Sequence, residues 1–359
     1  MPVFFEFLLI ACLIYLWESA LWLPKQGIAL RRGWFGKKWR VIPAGRLLAT
    51  RELGLVPMLP IPPDLRLLPC PGFPLVSHDS GKIFIETTAG GFLETSANCW
   101  YDFRLETHHL SVDYLSVRCQ SPRLTELLRE GKNLGLDPHK AIRRAWNLAL
   151  SPARAKREMK RWSIVSRPLR FYGPILACGF FAAIPTAYLT LGPMAALWLA
   201  AWLWCLMIAT AIHLLWLGKN VFPSARSEFR QDAFLSVLIP FHAMRALELA
   251  SVHVFAQTHP AGVLVTVGEI NHPWLRGFAR RLLHPRPSNL GDLALSETAL
   301  PSLKLILDKR SFALKQFDHA PDRSNDLEAV AYCPRCHGMF LSGTETCSDC
   351  GGLALRGFQ

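Results

Sequence analysis

Cys333-Pro-Arg-Cys336 is followed, after ten residues, by Cys347-Ser-Asp-Cys350-Gly-Gly. Two CxxC pairs at this separation can set four thiolates around one tetrahedral ion. Zinc is the usual occupant of such a set; iron is the alternative, fitting less well with the short ten-residue separation. Four thiolates leave no coordination position for water or substrate. Cys333, Cys336, Cys347 and Cys350 are therefore expected to hold a structural metal and not a catalytic one. Few apolar residues accompany them (Met339, Phe340, Leu341, Leu353 and Leu355). Metal binding is thus expected to supply most of the segment's folding energy, on the order of 10 kcal/mol.

This arrangement resembles the zinc-ribbon family, in which two short hairpin knuckles each offer two cysteines. The resemblance covers residues 331–359 alone and rests on the four cysteines, with Pro334 and Gly351 at positions typical of such knuckles. His337 departs from the pattern, standing where glycine is common after the second cysteine. Glycine there tolerates positive φ and lets backbone N–H groups approach sulfur. His337 must either adopt the left-handed conformation or compete as a ligand, and the four cysteines complete a tetrahedron without it. The resemblance implies a type of module and no activity. Some zinc ribbons bind nucleic acid, but here Arg335 and Arg356 are set against Glu345 and Asp349, which leaves no basic surface for phosphates. No nucleic-acid partner is expected; contact with a protein or with the rest of the chain is.

Other chemistry-bearing residues are sparse. The chain has no P-loop, no HExxH and no GxSxG. His108 and His109, with Asp113 nearby, are adjacent in sequence and would face opposite sides of a strand, which suits a solvated pair. Cys119 is an equally weak nucleophile candidate. Two ionisable residues fall inside apolar runs. Glu18 lies five residues from the end of the run Val3 to Leu23, and His213 lies four from the end of the run Ala195 to Leu217. At about 1.5 Å per residue these depths agree within about 2 Å. Glu18 and His213 either pair within a membrane or reach water independently near its surface.

Those runs are the elements that must position everything else. A span needs about 20 apolar residues, and Val3 to Leu23, Phe171 to Leu191 and Ala195 to Leu217 each qualify, with Pro185 expected to kink the second. Gly192-Pro193 separates the last two, which predicts a helical hairpin. The first run lacks a basic residue before it, so an uncleaved anchor is expected and not a signal peptide. Lys25, Arg31, Arg32, Lys37, Lys38 and Arg40 follow the first run. Arg154, Lys156, Arg157, Lys160, Arg161, Arg167 and Arg170 precede the second; Lys219, Arg226 and Arg230 follow the third. The positive-inside rule then puts the N-terminus outside and the C-terminus in the cytosol, expected at the inner or plasma membrane of a bacterium. Of ten cysteines, four belong to the metal motif and three to apolar runs; Cys70, Cys99 and Cys119 remain, an odd number that suits reduced thiols. The basic flanks are candidate contacts for anionic membrane lipid.

The fold expected is a membrane α-helical protein of about three transmembrane helices, with a cytosolic α+β domain and a C-terminal zinc ribbon. Residues 1–23 form the anchor, 24–40 a basic juxtamembrane segment, 41–162 a β-rich then helical domain, and 171–217 the hairpin. Residues 218–317 form a mixed, mainly amphipathic helical region, 318–330 a linker and 331–359 the ribbon. Strands are predicted at 82–87, 92–95, 99–104, 110–119 and 262–267, and an N-cap at Asp137 before Pro138. The stretch 228–257 carries His242, Arg245, Glu248 and His253, which argue against a fourth span and for one amphipathic helix. Half of the residues are hydrophobic, at 51%, while the formal net charge is +13; apolar and basic runs segregate, as in a membrane protein. The expected role is a membrane-anchored interaction or assembly protein with a protein partner on its cytosolic side. The alternatives are a membrane-tethered enzyme with an unfamiliar site and, less fittingly, a transporter or channel subunit.

Overall fold

The computed structural model describes residues 27–32, 39–43, 58–60, 75–78, 81–87, 91–102, 104–105, 109–112, 115–118, 124–254, 258–323 and 326–358. The first apolar run, with Glu18, lies outside the described residues, as do Cys70, Cys119 and His108. Short strands come first: β1 (Gly27–Arg32), β2 (Trp39–Pro43), β3 (Met58–Pro60), β4 (Leu75–His78), β5 (Lys82–Glu86), β6 (Phe92–Ser96), β7 (Arg104–Leu105), β8 (His109–Val112) and β9 (Leu115–Arg118). Helices follow: α1 (Leu124–Asn133), α2 (Pro138–Leu150), α3 (Pro152–Cys178), a π-turn (Gly179–Ala183), α4 (Ile184–Leu191), α5 (Pro193–Asn220), α6 (Arg226–Leu238), α7 (Pro240–Met244), α8 (Ala246–Val254), α9 (Pro260–Val267), α10 (Pro273–Leu283) and α11 (Leu290–Asp308). The C-terminal segment adds β10 (Ala331–Tyr332), β11 (Met339–Phe340), β12 (Thr346–Cys347), β13 (Leu353–Ala354) and β14 (Arg356–Gly357). The described chain is therefore mostly helical.

Two compact units are present, one of Met1–Leu59 with Glu158–Val254, the other of Pro60–Arg157 with Phe255–Gln359. In the first, Phe171–Leu191 and Pro193–Asn220 are long and apolar enough to cross a membrane. Gly192 turns the chain between them at φ 88°, ψ 177°, a backbone state open essentially to glycine. Pro185 does not break its helix. The π-turn before it shifts the ladder, with Ile184 N–H bonded to the Gly179 carbonyl, and Pro185, having no N–H, sits in the first turn of α4. Gly179 packs directly on Leu203, whose methyl carbon lies 2.5 Å from where a Cβ would stand. Trp198, Trp202 and Trp204 remain exposed on α5.

The single amphipathic helix expected over 228–257 is instead three helices. Pro240 supplies no N–H, and Ile239 before it is extended (φ −119°, ψ 109°), so α6 ends and α7 restarts. His242 Nε2 lies 3.3 Å from Asp232 Oδ1, and His253 Nε2 lies 3.6 Å from Glu228 Oε2. Two of the polar residues that argued against a span, His242 and His253, thus face carboxylates of α6.

In the second unit, β4, β5 and β6 form an antiparallel sheet in sequence order. Its buried side chains include Leu75, Val76, Ile83, Phe84 and Ile85. Helices α2 and α11 anchor to β4: Trp146 Nε1 donates to the Leu75 carbonyl (3.1 Å), and Thr298 Oγ1 donates to the Ser77 carbonyl (3.1 Å). Asp137 caps α2, its Oδ1 accepting the Lys140 amide at 3.0 Å. The strand expected at 99–104 is a 3-10 turn over Ala97–Asp102; Ser96 Oγ accepts the Asn98 amide at 3.2 Å and turns the chain there. The strand expected at 110–119 is a hairpin, with Val112 paired to Leu115 across two residues.

The strand expected at 262–267 is the helix α9. A short, mostly apolar run reads equally as buried strand or buried helix, and its ends decide. His259 Nδ1 accepts the Ala261 amide at 3.3 Å, Pro260 occupies the first turn, and Gly268 closes the helix at φ 88°. Gly262 then allows α9 to lie on α2, where a Cβ would meet the Leu150 carbonyl oxygen at 2.6 Å.

Candidate metal centre

The four predicted ligands come together. The sulfur atoms of Cys333, Cys336, Cys347 and Cys350 all lie within 4.8 Å of one another. Cys336 Sγ and Cys347 Sγ are 3.8 Å apart. A metal–sulfur bond of about 2.3 Å in a tetrahedron sets its sulfurs about 3.8 Å apart, so the spacing fits a zinc-sized ion. Cys333, Cys347 and Cys350 are buried and Cys336 is half-buried, with Phe340, Leu353 and Leu355 packed against the cluster.

Two backbone turns build the cradle. In the first, the Cys333 amide donates to the Gly338 carbonyl (2.9 Å), the His337 amide donates to the Cys333 carbonyl (2.9 Å), and the Gly338 amide donates to Cys336 Sγ (3.3 Å). In the second, the Gly352 amide donates to the Cys347 carbonyl at 3.0 Å. Each knuckle leaves its second cysteine with positive φ: 61° at His337, and 66° at Gly351. Of the two expectations for His337, the left-handed conformation is the one found. Its ring packs edge-on to Tyr332 and His319, at 6.2 and 5.9 Å between centroids. The strands follow from these turns: β11, β10 and β14 form one antiparallel sheet, and β12 pairs with β13.

The sulfurs share protons unequally. Hydrogen bonds from the thiols of Cys336 and Cys350 hold Cys333 down at about 2. Burial, with the charge of Cys333, pushes Cys347 up to about 11. Cys350 is raised further, because its proton is held by Cys333 and Cys336. Four sulfurs this close cannot all be anionic by themselves, and a bound cation would remove the repulsion. Arg280 and Arg335 stand within reach of the sulfur charge, on the side where a net negative thiolate centre needs cations.

Around the first knuckle lies a cluster that sequence reasoning missed. Asp292, in the first turn of α11, is fully buried. It receives Arg281 Nη2 at 3.0 Å, Arg286 Nε at 2.5 Å and Arg335 Nη2 at 2.8 Å. Arg281 Nη1 also reaches Glu86 Oε1, on β5, at 2.6 Å. Burial by itself raises the Asp292 carboxyl, but Arg281, Arg335 and Arg286 outweigh it and hold the group below the usual carboxylate range. Arg335, read from sequence as a surface cation, is 6% exposed. The only signal for this was an acidic residue opening an apolar helix, three residues after the capping Asn289. Asp318, the first residue of the expected linker 318–330, is also held in place. Asp318 Oδ1 lies 2.8 Å from both His284 Nε2 and Arg356 Nη1, and Phe317 beside it is buried.

His213 lies on α5 with its ring stacked on Trp216 (5.6 Å) and edge-on to Tyr172 (6.4 Å). Its proposed partner Glu18 falls outside the described residues. His109 sits on β8 opposite Arg118, and Asp113 lies outside the described residues. No family model, no curated protein and no solved structure matches this chain.

Proposed function

We propose that this chain is a membrane-anchored interaction or assembly protein whose C-terminal zinc ribbon is structural. The observation that carries the reading is the cysteine cluster, closed by four sulfurs within 4.8 Å of one another. A site so closed offers no position to a substrate and reads as scaffold. Zinc is the metal proposed, with iron as the alternative, because the sulfur spacing suits both and zinc is the common occupant of such cradles.

Membrane anchoring is supported by the two apolar helices and by the basic flanks on either side of them. In this reading the run Val3 to Leu23 supplies a third span, the N-terminus lies outside and the metal site faces the reducing cytosol. Glu18 and His213 are then at similar depth. Anionic lipid would meet the basic flanks, and a protein partner would meet the cytosolic mass.

Purification in detergent with metal analysis and crosslinking tests this. About one zinc per chain and one recurrent crosslinked protein are expected. A bound small molecule in place of a partner would favour the enzyme reading. Labelling of the C-terminal thiols in intact cells by an impermeant reagent would overturn the orientation.

A further inference from the structure

Arg335 is held inside the first knuckle, between Pro334 and Cys336. Its backbone is placed by the two ligand cysteines of that knuckle, Cys333 and Cys336. From there it makes three contacts with the helical body. Its carbonyl accepts Arg280 Nε at 3.3 Å, its Nη1 donates to the His284 carbonyl at 3.0 Å, and its Nη2 lies 2.8 Å from Asp292 Oδ2. The second knuckle is seated on the same loop: Ser288 Oγ lies 3.5 Å from the Gly351 carbonyl, and Arg286 Cδ is as close to the vacant Cβ position of Gly351.

The contact does not end at Asp292. Arg281 links Asp292 to Glu86, so charged contacts run unbroken from the metal knuckle, through α11 and α10, to the central strand β5. All the linking side chains are buried, with Asp292 fully so. A buried carboxylate is stable only while its donors are in place, because one that loses a partner keeps an unsatisfied oxygen in a poorly solvated place.

We propose that the metal centre is a clamp on the sheet-and-helix unit, so that a soft divalent cation regulates the fold against which the ribbon sits. This rests on the reading that the four cysteines hold such a metal. With metal bound, the knuckle is fixed, His337 is kept at positive φ and Arg335 holds its contact to Asp292 Oδ2. Without metal, the knuckle relaxes, Arg335 withdraws, and β5 and the first turn of α11 loosen. Coupling between two sites is reciprocal, so the same cluster must tighten the metal site.

Cobalt(II) is the probe, added to the full chain in detergent. Its tetrahedral thiolate spectrum reports binding, and competition with a chelator gives affinity. Hydrogen exchange is followed at 82–86 and 290–295, away from the cysteines. In the parent protein, chelation should speed exchange at both segments. Arg335→Met keeps the aliphatic stem and loses the charge; it should bind cobalt about 5- to 150-fold more weakly, with an unchanged spectrum. Exchange at 82–86 in this variant should no longer respond to metal. Glu86→Gln, at the far end of the cluster, should also weaken cobalt binding, and serves if Arg335→Met does not fold. Parent-like cobalt affinity in both variants, with exchange at 82–86 indifferent to chelation, overturns the clamp. A parent protein with no tetrahedral cobalt spectrum overturns the metal reading and the clamp with it, an outcome distinct from loss of coupling alone.

Discussion

The imidazole of His259 is enclosed against the indole of Trp146, with ring centroids 5.4 Å apart. Phe278 and Trp274 close the other sides at 4.9 and 5.7 Å. The ring is fully buried, and its Nδ1 is occupied by the Ala261 amide. Nδ1 must therefore be the unprotonated nitrogen, and a second proton would place a cation in an apolar cage.

Burial accordingly holds His259 down at about 3, against 6.5 for the free side chain. Between these values the unfolded chain binds a proton that the folded chain refuses, so stability is full above 6.5 and falls as pH drops toward 3. The loss approaches on the order of 5 kcal/mol at the acid end. Asparagine retains a capping acceptor and does not titrate. Denaturant titrations of the parent and His259→Asn at several pH values should show a steeper acid loss in the parent. Equal slopes would mean that the ring is hydrated.

Gly262 marks the closest approach of α9 to α2. A Cβ there would stand 2.6 Å from the Leu150 carbonyl oxygen and 2.9 Å from its carbon. Backbone cannot retreat as a flexible side chain can, so Gly262→Ala should destabilise by about 1–3 kcal/mol. The midpoint of denaturant unfolding, read by tryptophan fluorescence, measures it; no shift would place the two helices further apart.

Gly192 occupies a backbone region (φ 88°, ψ 177°) that a Cβ disfavours, with nothing within 4 Å of the vacant position. Gly192→Ala should therefore cost about 1–3 kcal/mol from conformation alone, with no clash. A lowered thermal midpoint in detergent is the expected result. An unchanged midpoint would show that the hairpin turns by another route.

Cys350 is buried among the three other sulfurs and takes part in their proton sharing. Cys350→Ser should abolish tight metal binding, and with it most of the folding energy of 331–358, on the order of 10 kcal/mol. Limited proteolysis should cut that segment in the variant and in chelated parent protein, and spare it in metal-loaded parent. Protection that survives chelation would show a segment folded by packing alone.

Much of this was legible along the chain because it is local. The two CxxC pairs meet because each knuckle closes within a few residues, and the pair of apolar runs with Gly192-Pro193 between them folds as a hairpin by length and turn chemistry. Asp137 caps α2 for the same reason: donor and acceptor lie three residues apart. The reading of 262–267 as a strand failed where periodicity is mute. Six apolar or small residues carry no period, and the choice fell to His259 and Gly268 at the ends and to a glycine that admits the Leu150 carbonyl. The reading of 99–104 failed for a related reason, since one hydroxyl, that of Ser96, turned the chain before a strand could form.

Residue types and short-range spacing thus determined the cysteine set of the metal cradle, the apolar hairpin and the helix caps, whose local geometry closes within a short stretch of chain. Tertiary structure alone decided that Arg335 is buried on Asp292, that Arg281 carries the contact to Glu86, and that His259 is caged by aromatics. Those partners are far apart in sequence, 43 residues for Arg335 and Asp292, 195 for Arg281 and Glu86 and 113 for His259 and Trp146, and a charge is stable in the interior only where folding has gathered its counter-charges first.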